Sequence, residues 1–276
     1  GGGGGFFPMR GGGARGGGGV GGGARGGLKA AAVSAARGHR VSLFEEKDHL
    51  GGQLSLAAEA PHKEGFLDVI GNLELMARRS GVELHLSRHL TAEDLRAMNP
   101  DALILATGGI PMTALLPGLE NLAWATAGDV MEGKVPLEAE RFLVVGGGLV
   151  GLEAADFLSA RGKKVALVEV VTEVGTKLDP LPRAMLLKRL QAKGVDIHTE
   201  TRIRTIDPAS VEVERLGEVF RIPTDMVVVA VGVQANRELA ERLEGSGLEI
   251  HLVGDAKEPR GAGEAILEGL EVGSSV

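Results

Sequence analysis

From Leu28 onward the apolar positions fall into short blocks that alternate between a helical and an extended period. Leu28–Arg37 is an alanine-rich run that halts at Gly38, and its spacing predicts a helix. Arg40–Glu45 (RVSLFE) reads as a short strand. Phe66, Ile70, Leu73 and Ala77 recur at helical spacing across Glu64–Arg79, and Val82–Leu86 reads as the next strand. Thr91 with Asp94 has the form of a capping box that opens a short helix, Thr91–Met98. Asp101–Thr107 (DALILAT) is apolar at successive positions, as in a strand buried on both faces, and it ends at Gly108-Gly109.

Residues 110–140 contain Pro111, Pro117 and Pro136 and show no period, so they read as an irregular crossover between domains. The alternation then resumes. Arg141–Val145 is a strand, Leu152–Arg161 a helix, and Lys164–Val168 a strand ending at Glu169. Arg183–Lys193 is an amphipathic helix and Val195–Thr199 a strand. Val211–Ile222 alternates around Gly217 like a hairpin, and Asp225–Val231 is buried strand. Glu249–Val253 leads into Gly254-Asp255, and the last helix runs from about Gly263 to Val272. Strands and helices in this order predict an α/β fold with parallel sheets.

The chain repeats itself. Placing Gly27 on Gly151 aligns GLKAAAVSAARGHRVSLFE (27–45) with GLEAADFLSARGKKVALVE (151–169) without a gap, and ten of the 19 positions are identical. Both segments end a strand on glutamate. Two copies of one nucleotide-binding unit account for this.

The second copy is the clearer. Gly146, Gly148 and Gly151 form G-x-G-x-x-G directly after a strand and at the start of a helix. Gly146 makes the tight turn, Gly148 lets a pyrophosphate approach the backbone, and Gly151 permits close helix–strand packing. The phosphate charge sits on the free N–H groups of the helix N-terminus. Glu169 lies 18 residues past Gly151, where its carboxylate can accept from a ribose 2′-hydroxyl. The structural alternative is a glycine-rich turn without a ligand. In the first copy the alignment puts Gly22 on Gly146, Ala24 on Gly148, and Gly19-Val20-Gly21 on Leu143-Val144-Val145. A strand of Gly-Val-Gly cannot supply the apolar surface that a central parallel strand needs, Ala24 adds a methyl group at the pyrophosphate position, and Arg25 falls within the turn. Glu45 remains well placed for a ribose.

Composition adjusts this picture in three places. Seventeen of the 44 glycines lie in the first 27 residues, a stretch from which no hydrophobic core can be built. Arg10, Arg15 and Arg25 each begin an Arg-Gly-Gly triplet, which raises RNA binding as a rival reading. A net charge of −7 argues against a nucleic-acid partner for the folded part. The chain has no cysteine, which excludes a redox disulfide, a Cys-based zinc site or an iron–sulfur cluster ligated by these residues. Seven scattered histidines show no metal spacing, and neither a catalytic residue nor a metal site is expected. Lys63-Glu64 and Glu258-Pro259-Arg260 read as solvated loop charges. No apolar run approaches the ~18 residues of a membrane span and no signal-peptide pattern is visible. A cytoplasmic protein, or a piece of a larger one, is the expectation.

RGHRVSLFEEKDHLGGQLSLAAEAPHKEGF (37–66), NPDALILATGGIP (99–111), VVGGGLVGLEAADFLSARGKKVALVE (144–169) and HLVGDAKEPRG (251–261) together span nearly the whole chain. In order and spacing they resemble the C-terminal FAD- and NAD(P)H-binding half of the old-yellow-enzyme-related NADH:flavin oxidoreductases, the family of 2,4-dienoyl-CoA reductase and trimethylamine dehydrogenase. Residues 16–27 depart from that family's VVVGGGPAG fingerprint. The resemblance implies two Rossmann-like dinucleotide-binding domains, with the NAD(P)H domain (139–244) inserted in an FAD domain (1–138 and 245–276).

It also implies roles for individual residues. Gly22, Gly27 and Glu45 face the ADP half of FAD, and Gly51-Gly52-Gln53 line the cofactor after the second strand. Ala106-Thr107-Gly108 form the turn that packs on the dinucleotide, and Ala230-Val231-Gly232 form its counterpart in the nicotinamide domain. Gly254-Asp255 place a carboxylate on the ribitol hydroxyls. The residues themselves agree for Asp255, an acid between a buried strand and a helix, although a plain helix cap has the same signature. The implied reaction is hydride transfer from NAD(P)H, NADH being favoured by Glu169, to FAD. The electrons pass onward to an iron–sulfur cluster and FMN in a barrel domain or partner, where an enoyl-type substrate is reduced. The alternative is a non-catalytic domain that binds ADP or FAD.

Overall fold

The structure, a computed structural model, describes residues 18–21, 24–58, 65–112 and 116–276. The chain opens with strand β1 (Gly18–Gly21), helix α1 (Arg25–Ala36) and strand β2 (Val41–Phe44). Helices α2 (Gln53–Ala58) and α3 (Gly65–Arg79) precede β3 (Glu83–His85), α4 (Ala92–Met98) and β4 (Ala102–Leu105). Next come β5 (Gly109–Pro111), β6 (Ala123–Thr126) and α5 (Ala127–Met131). A second alternating run holds β7 (Arg141–Val145), α6 (Leu149–Ala160), β8 (Lys164–Val168), α7 (Pro180–Ala192) and β9 (Asp196–His198). Strands β10 (Thr201–Asp207), β11 (Ser210–Arg215), β12 (Glu218–Pro223), β13 (Met226–Val229) and β14 (Val233–Ala235) follow. The chain ends with α8 (Glu238–Arg242), β15 (Glu249–Leu252) and α9 (Ala262–Ser275).

Two compact units result. The first takes in the described residues up to Ser55, then Gly65–Ile110 and Val233–Val276; the second takes in Pro111–Gly232 with residues 56–58. Apart from residues 56–58, the chain passes between them at 110–111 and again at 232–233; β5 pairs with β14. These crossings differ from the expected boundaries at 138/139 and 244/245. Ala127, Val130 and Met131 are buried in the second unit's core, whereas Leu239 and Leu243 are buried in the first's. Residues 110–140 are not an irregular crossover, because β6 joins a sheet and α5 carries a Thr126 cap that accepts from the Asp129 N–H at 3.1 Å.

The first unit is a five-stranded parallel sheet in the order β15-β4-β1-β2-β3. This is the strand order of a mononucleotide-binding Rossmann unit, with the switch point beside the first strand. β1 is Gly-Gly-Val-Gly, yet it occupies the centre, pairing Gly18–Gly21 with Val41–Phe44 on one side and Ala102–Leu105 on the other. The expectation that such a strand cannot serve there is corrected. The backbone ladders fix its place, and the apolar surface comes from fully buried neighbours such as Leu43, Leu103, Ile104 and Leu105. α1 buries Leu28, Ala30, Ala31 and Ala32 and packs closely on α9. A Cβ at Gly269 would collide with the Gly26 carbonyl oxygen, and one at Gly273 would lie 2.7 Å from the Ala30 oxygen.

The second unit is a five-stranded parallel sheet in the order β6-β13-β7-β8-β9. α5 and α6 pack on one face through Val130, Leu152, Ala155 and Leu158. The antiparallel sheet β10-β11-β12 covers the other face, burying Ile206, Val211 and Val213 against Leu143, Val145 and Val227. The expected hairpin around Gly217 is β11–β12; β10 extends it. A carboxylate joins the bases of two central strands: Asp225 accepts from the Arg141 N–H at 2.9 Å and from Arg141 Nε at 3.1 Å. These bonds hold the Asp225 carboxyl at about 2, below its ordinary value of 3.8.

Candidate nucleotide-binding sites

In the second unit the loop 146–148 links β7 to α6 at the C-terminal edge of the sheet, the position where a nucleotide binds in this topology. Gly146 turns with φ +110°, a left-handed conformation that excludes most side chains, and any Cβ there would strike the Ala230 carbonyl oxygen. A Cβ at Gly151 would collide with the Gly146 oxygen, which is the close helix–strand packing expected of the third glycine. Gly148 is the helix N-cap, extended at φ −70° and ψ −177°, and nothing lies within 4 Å of where its Cβ would be. That open space, facing the free N–H groups of the first turn, suits the bulk and charge of a diphosphate.

Glu169 closes the loop from the next strand. One carboxylate oxygen accepts from the Gly147 N–H at 2.6 Å, and the other from the N–H groups of Val170 at 2.7 Å and Val171 at 3.2 Å. Gly147 therefore has its own requirement for glycine, which sequence reasoning missed: a Cβ would meet Val174 and the Glu169 side chain. Val170 and Val171 follow as exposed apolar residues at 67% and 51% accessibility. The turn at Gly232 (φ +106°) follows Ala230, which packs on Gly146. Glu153, four residues after the start of the loop's helix, is a buried carboxylate that the sequence reading did not single out.

The first unit repeats this plan. Ala24 is the N-cap of α1 at φ −71° and ψ 164°, close to Gly148, and its carbonyl accepts from the Leu28 N–H at 2.9 Å, as Gly148 accepts from Leu152 at 3.0 Å. Gly22 lies outside the described residues, as do Arg10, Arg15 and Lys63-Glu64. Gly27 is buried in α1. Glu45 is 2% exposed and accepts from the Lys47 N–H at 3.0 Å. Gly51 and Gly52 both have positive φ, and a Cβ on Gly52 would stand 3.1 Å from the Ala24 methyl, so this loop lies against the helix cap. Gln53 opens α2.

Two more turns complete the unit. Ala106 and Thr107 are buried, Gly108 has φ +72°, and Thr107 Oγ1 donates to the Asn236 oxygen at 2.6 Å. Gly254 has φ +61° and begins a 3₁₀ turn that carries Asp255. Burial pushes the Asp255 carboxyl up from its ordinary value; the Arg260 N–H, 3.3 Å away, and the positive charge of Arg25 act in the opposite direction. Burial lowers Arg25, while Asp255 favours its charged form. The sheet thus brings Gly27, Glu45, Gly51, Gly52, Thr107, Gly108, Gly254 and Asp255 to one C-terminal strand edge. The second unit gathers Gly146, Gly148, Gly151, Glu169 and Gly232 at its own.

Among the described residues, no group of three or more His, Asp or Glu is arranged to hold a metal, and no helix is long and apolar enough to cross a membrane. His49, His198 and His251 pair with the neighbouring acids Asp48, Asp196 and Glu249.

Two Rossmann-type units, each with a helix N-terminus and an acid at the end of the following strand, define a dinucleotide-binding protein. The chain belongs to the pyridine nucleotide-disulphide oxidoreductase family, whose model matches residues 20–255. It is 35% identical over 251 residues to an NADH oxidase of Thermoanaerobacter brockii, an alignment covering 89% of this chain and 39% of that protein. It is 29% identical over 253 residues to a cinnamate reductase of Clostridium sporogenes, covering 91% of this chain and 38% of that one. The structure of a 2-naphthoyl-CoA reductase in complex with 2-naphthoyl-CoA superposes with a TM-score of 0.88 at 27% identity, over 92% of this chain and 39% of the other. The chain thus spans about two-fifths of the length of these relatives.

Proposed function

We propose that this chain is the electron-receiving part of a larger flavin-dependent reductase. It takes hydride from NADH onto FAD and passes electrons to an iron–sulfur- and FMN-bearing barrel domain or partner that reduces an enoyl-type substrate. The first unit holds FAD and the second NADH. When bound, these cofactors supply the hydride chemistry, and the protein contributes position and electrostatics. In the second unit the first turn of α6 binds the diphosphate, with Gly148 leaving room for it, and Glu169 accepts from the adenosine ribose. In the first unit Glu45 holds the adenosine ribose, the N-terminus of α1 the diphosphate, and Asp255 the ribityl hydroxyls. No side chain needs to give or take a proton for hydride transfer.

The single observation that carries this reading is Glu169, stitched to the loop after β7 and, among the described residues, in no ion pair. Val170 and Val171 stand where a 2′-phosphate would call for a basic residue, and this supports NADH over NADPH. The absence of cysteine from the sequence points away from a disulfide relay on these residues, and names of relatives such as cinnamate reductase support a conjugated, enoyl-type acceptor. The reading is tested by reconstituting the purified chain with FAD, desalting it, and titrating it with NADH. Retained flavin colour and saturable NADH binding are expected. A chain that stays colourless sinks the proposal.

A further inference from the structure

We infer that Glu268 is a positioning residue for the flavin end of the first nucleotide site, holding the Asp255 turn and keeping two cations off the Asp255 carboxylate. The inference rests on the assignment of FAD to that unit. Glu268 lies in GEAILEGLE (263–271), on the side of α9 that also carries buried Ala265. Its side chain is only 9% exposed. An ionised carboxylate so far from water is unfavourable unless it is paired and hydrogen-bonded.

Its partners all belong to the Asp255 turn. One oxygen accepts from the Gly254 N–H at 2.9 Å. The other pairs with the Arg260 guanidinium and lies 3.3 Å from Lys257 Nζ. Arg260, expected to be a solvated loop charge, is therefore tied to a buried acid. The turn is further closed by Lys257 and Glu258, whose N–H groups donate to the Gly254 oxygen at 2.9 and 3.0 Å. Arg237 adds a bond to the Lys257 oxygen at 2.8 Å.

The consequence for Asp255 follows from charge. Asp255 sits two residues before Lys257 and five before Arg260, and its own bond from that loop is the neutral Arg260 N–H on Oδ1. Among the described residues Oδ2 has no hydrogen-bond partner, so it is available to a ligand hydroxyl. With Glu268 absent, Lys257 loses its anion and Arg260 keeps only the exposed Glu258, 3.5 Å from its Nε, so both head groups are freed toward Asp255, the partly buried carboxylate of the same turn. They would then occupy the acceptor that the ribityl chain needs. Glu268 thus acts on the flavin half of the site and leaves the adenosine half, built on Glu45, untouched.

The experiment titrates FAD and ADP separately onto the apo chain by calorimetry for wild type, Glu268→Gln and Glu268→Ala, with apo melting curves alongside. Glu268→Gln keeps an acceptor for the Gly254 N–H and loses the charge, so FAD affinity should fall about tenfold; Glu268→Ala loses both, so it should fall about a hundredfold. ADP affinity should stay within about twofold of wild type in both. Unchanged FAD affinity in the two variants overturns the inference. So does a parallel fall in FAD and ADP affinity, the mark of a purely structural helix contact. Should Glu268→Ala not fold, Glu268→Gln alone decides, since it preserves the bond to Gly254. A wild-type chain that binds ADP but not FAD defeats the underlying assignment instead, and with it this inference.

Discussion

The carboxylate of Glu169 lies 2.6 Å from the amide nitrogen of Gly147, 22 residues earlier, so the acid at the end of β8 is fastened across the phosphate loop after β7. On the proposed reading, the acid that accepts from the ribose is also a brace for the loop that holds the diphosphate. Both functions can be separated by experiment, because glutamine preserves the shape of the side chain and arginine reverses its charge.

Glu169→Gln should raise the NADH KM about tenfold with little effect on kcat, since the lost bonds to a charged acceptor act equally in ground and transition states. Glu169→Arg should weaken NADH binding further and improve NADPH relative to NADH. Steady-state kinetics with both nucleotides, using an artificial electron acceptor, check this. An unchanged nucleotide preference in Glu169→Arg would remove Glu169 from the ribose site.

Glycines of the second loop should divide by mechanism. Gly151→Ala forces a methyl group into the Gly146 carbonyl and should cost about 2 kcal/mol or more of stability. Gly148→Ala meets no protein atom and should leave the melting temperature unchanged while weakening NADH binding. Ala24→Gly is the reciprocal change in the first unit and should strengthen FAD binding. Melting curves and nucleotide titrations on the three variants separate packing from ligand contact.

How much of this was legible in the sequence depends on how local each signal is. The buried strands β4, β7, β8 and β13 are contiguous apolar runs, and the Thr91–Asp94 capping box forms as its residues predict, with Asp94 N–H donating to Thr91 at 3.2 Å. The phosphate loop and Glu169 are set by spacing within one β-α-β unit. β1 was illegible as a central strand because three of its four residues lack side chains and its place is fixed by ladders to β2 and β4. β6, α5 and α8 are four or five residues long, too short for a period to show. The roles of Gly147, Glu268 and Gly269 depend on partners that only the tertiary fold brings close.

Acid stability should report the Arg141–Asp225 link. Asp225 is depressed in the folded state, so its contribution is fully present above its ordinary value of 3.8 and is lost as pH falls through about 2. Asp225→Asn should therefore melt below wild type by a constant margin at neutral and weakly acidic pH. The two curves should converge as pH falls from about 4 to 2. Melting temperature against pH for both proteins checks this, and a gap that persists at the acid end would mean the side chain acts through shape rather than charge.

On the proposed function, these residues carry hydride from NADH to a flavin held on the same chain. Anaerobic titration of the FAD-reconstituted chain with NADH, followed in the visible spectrum, tests it most directly. The predicted result is stoichiometric bleaching of the oxidised flavin band, achieved at lower concentrations of NADH than of NADPH. A flavin that is bound yet stays oxidised through an excess of NADH would contradict it.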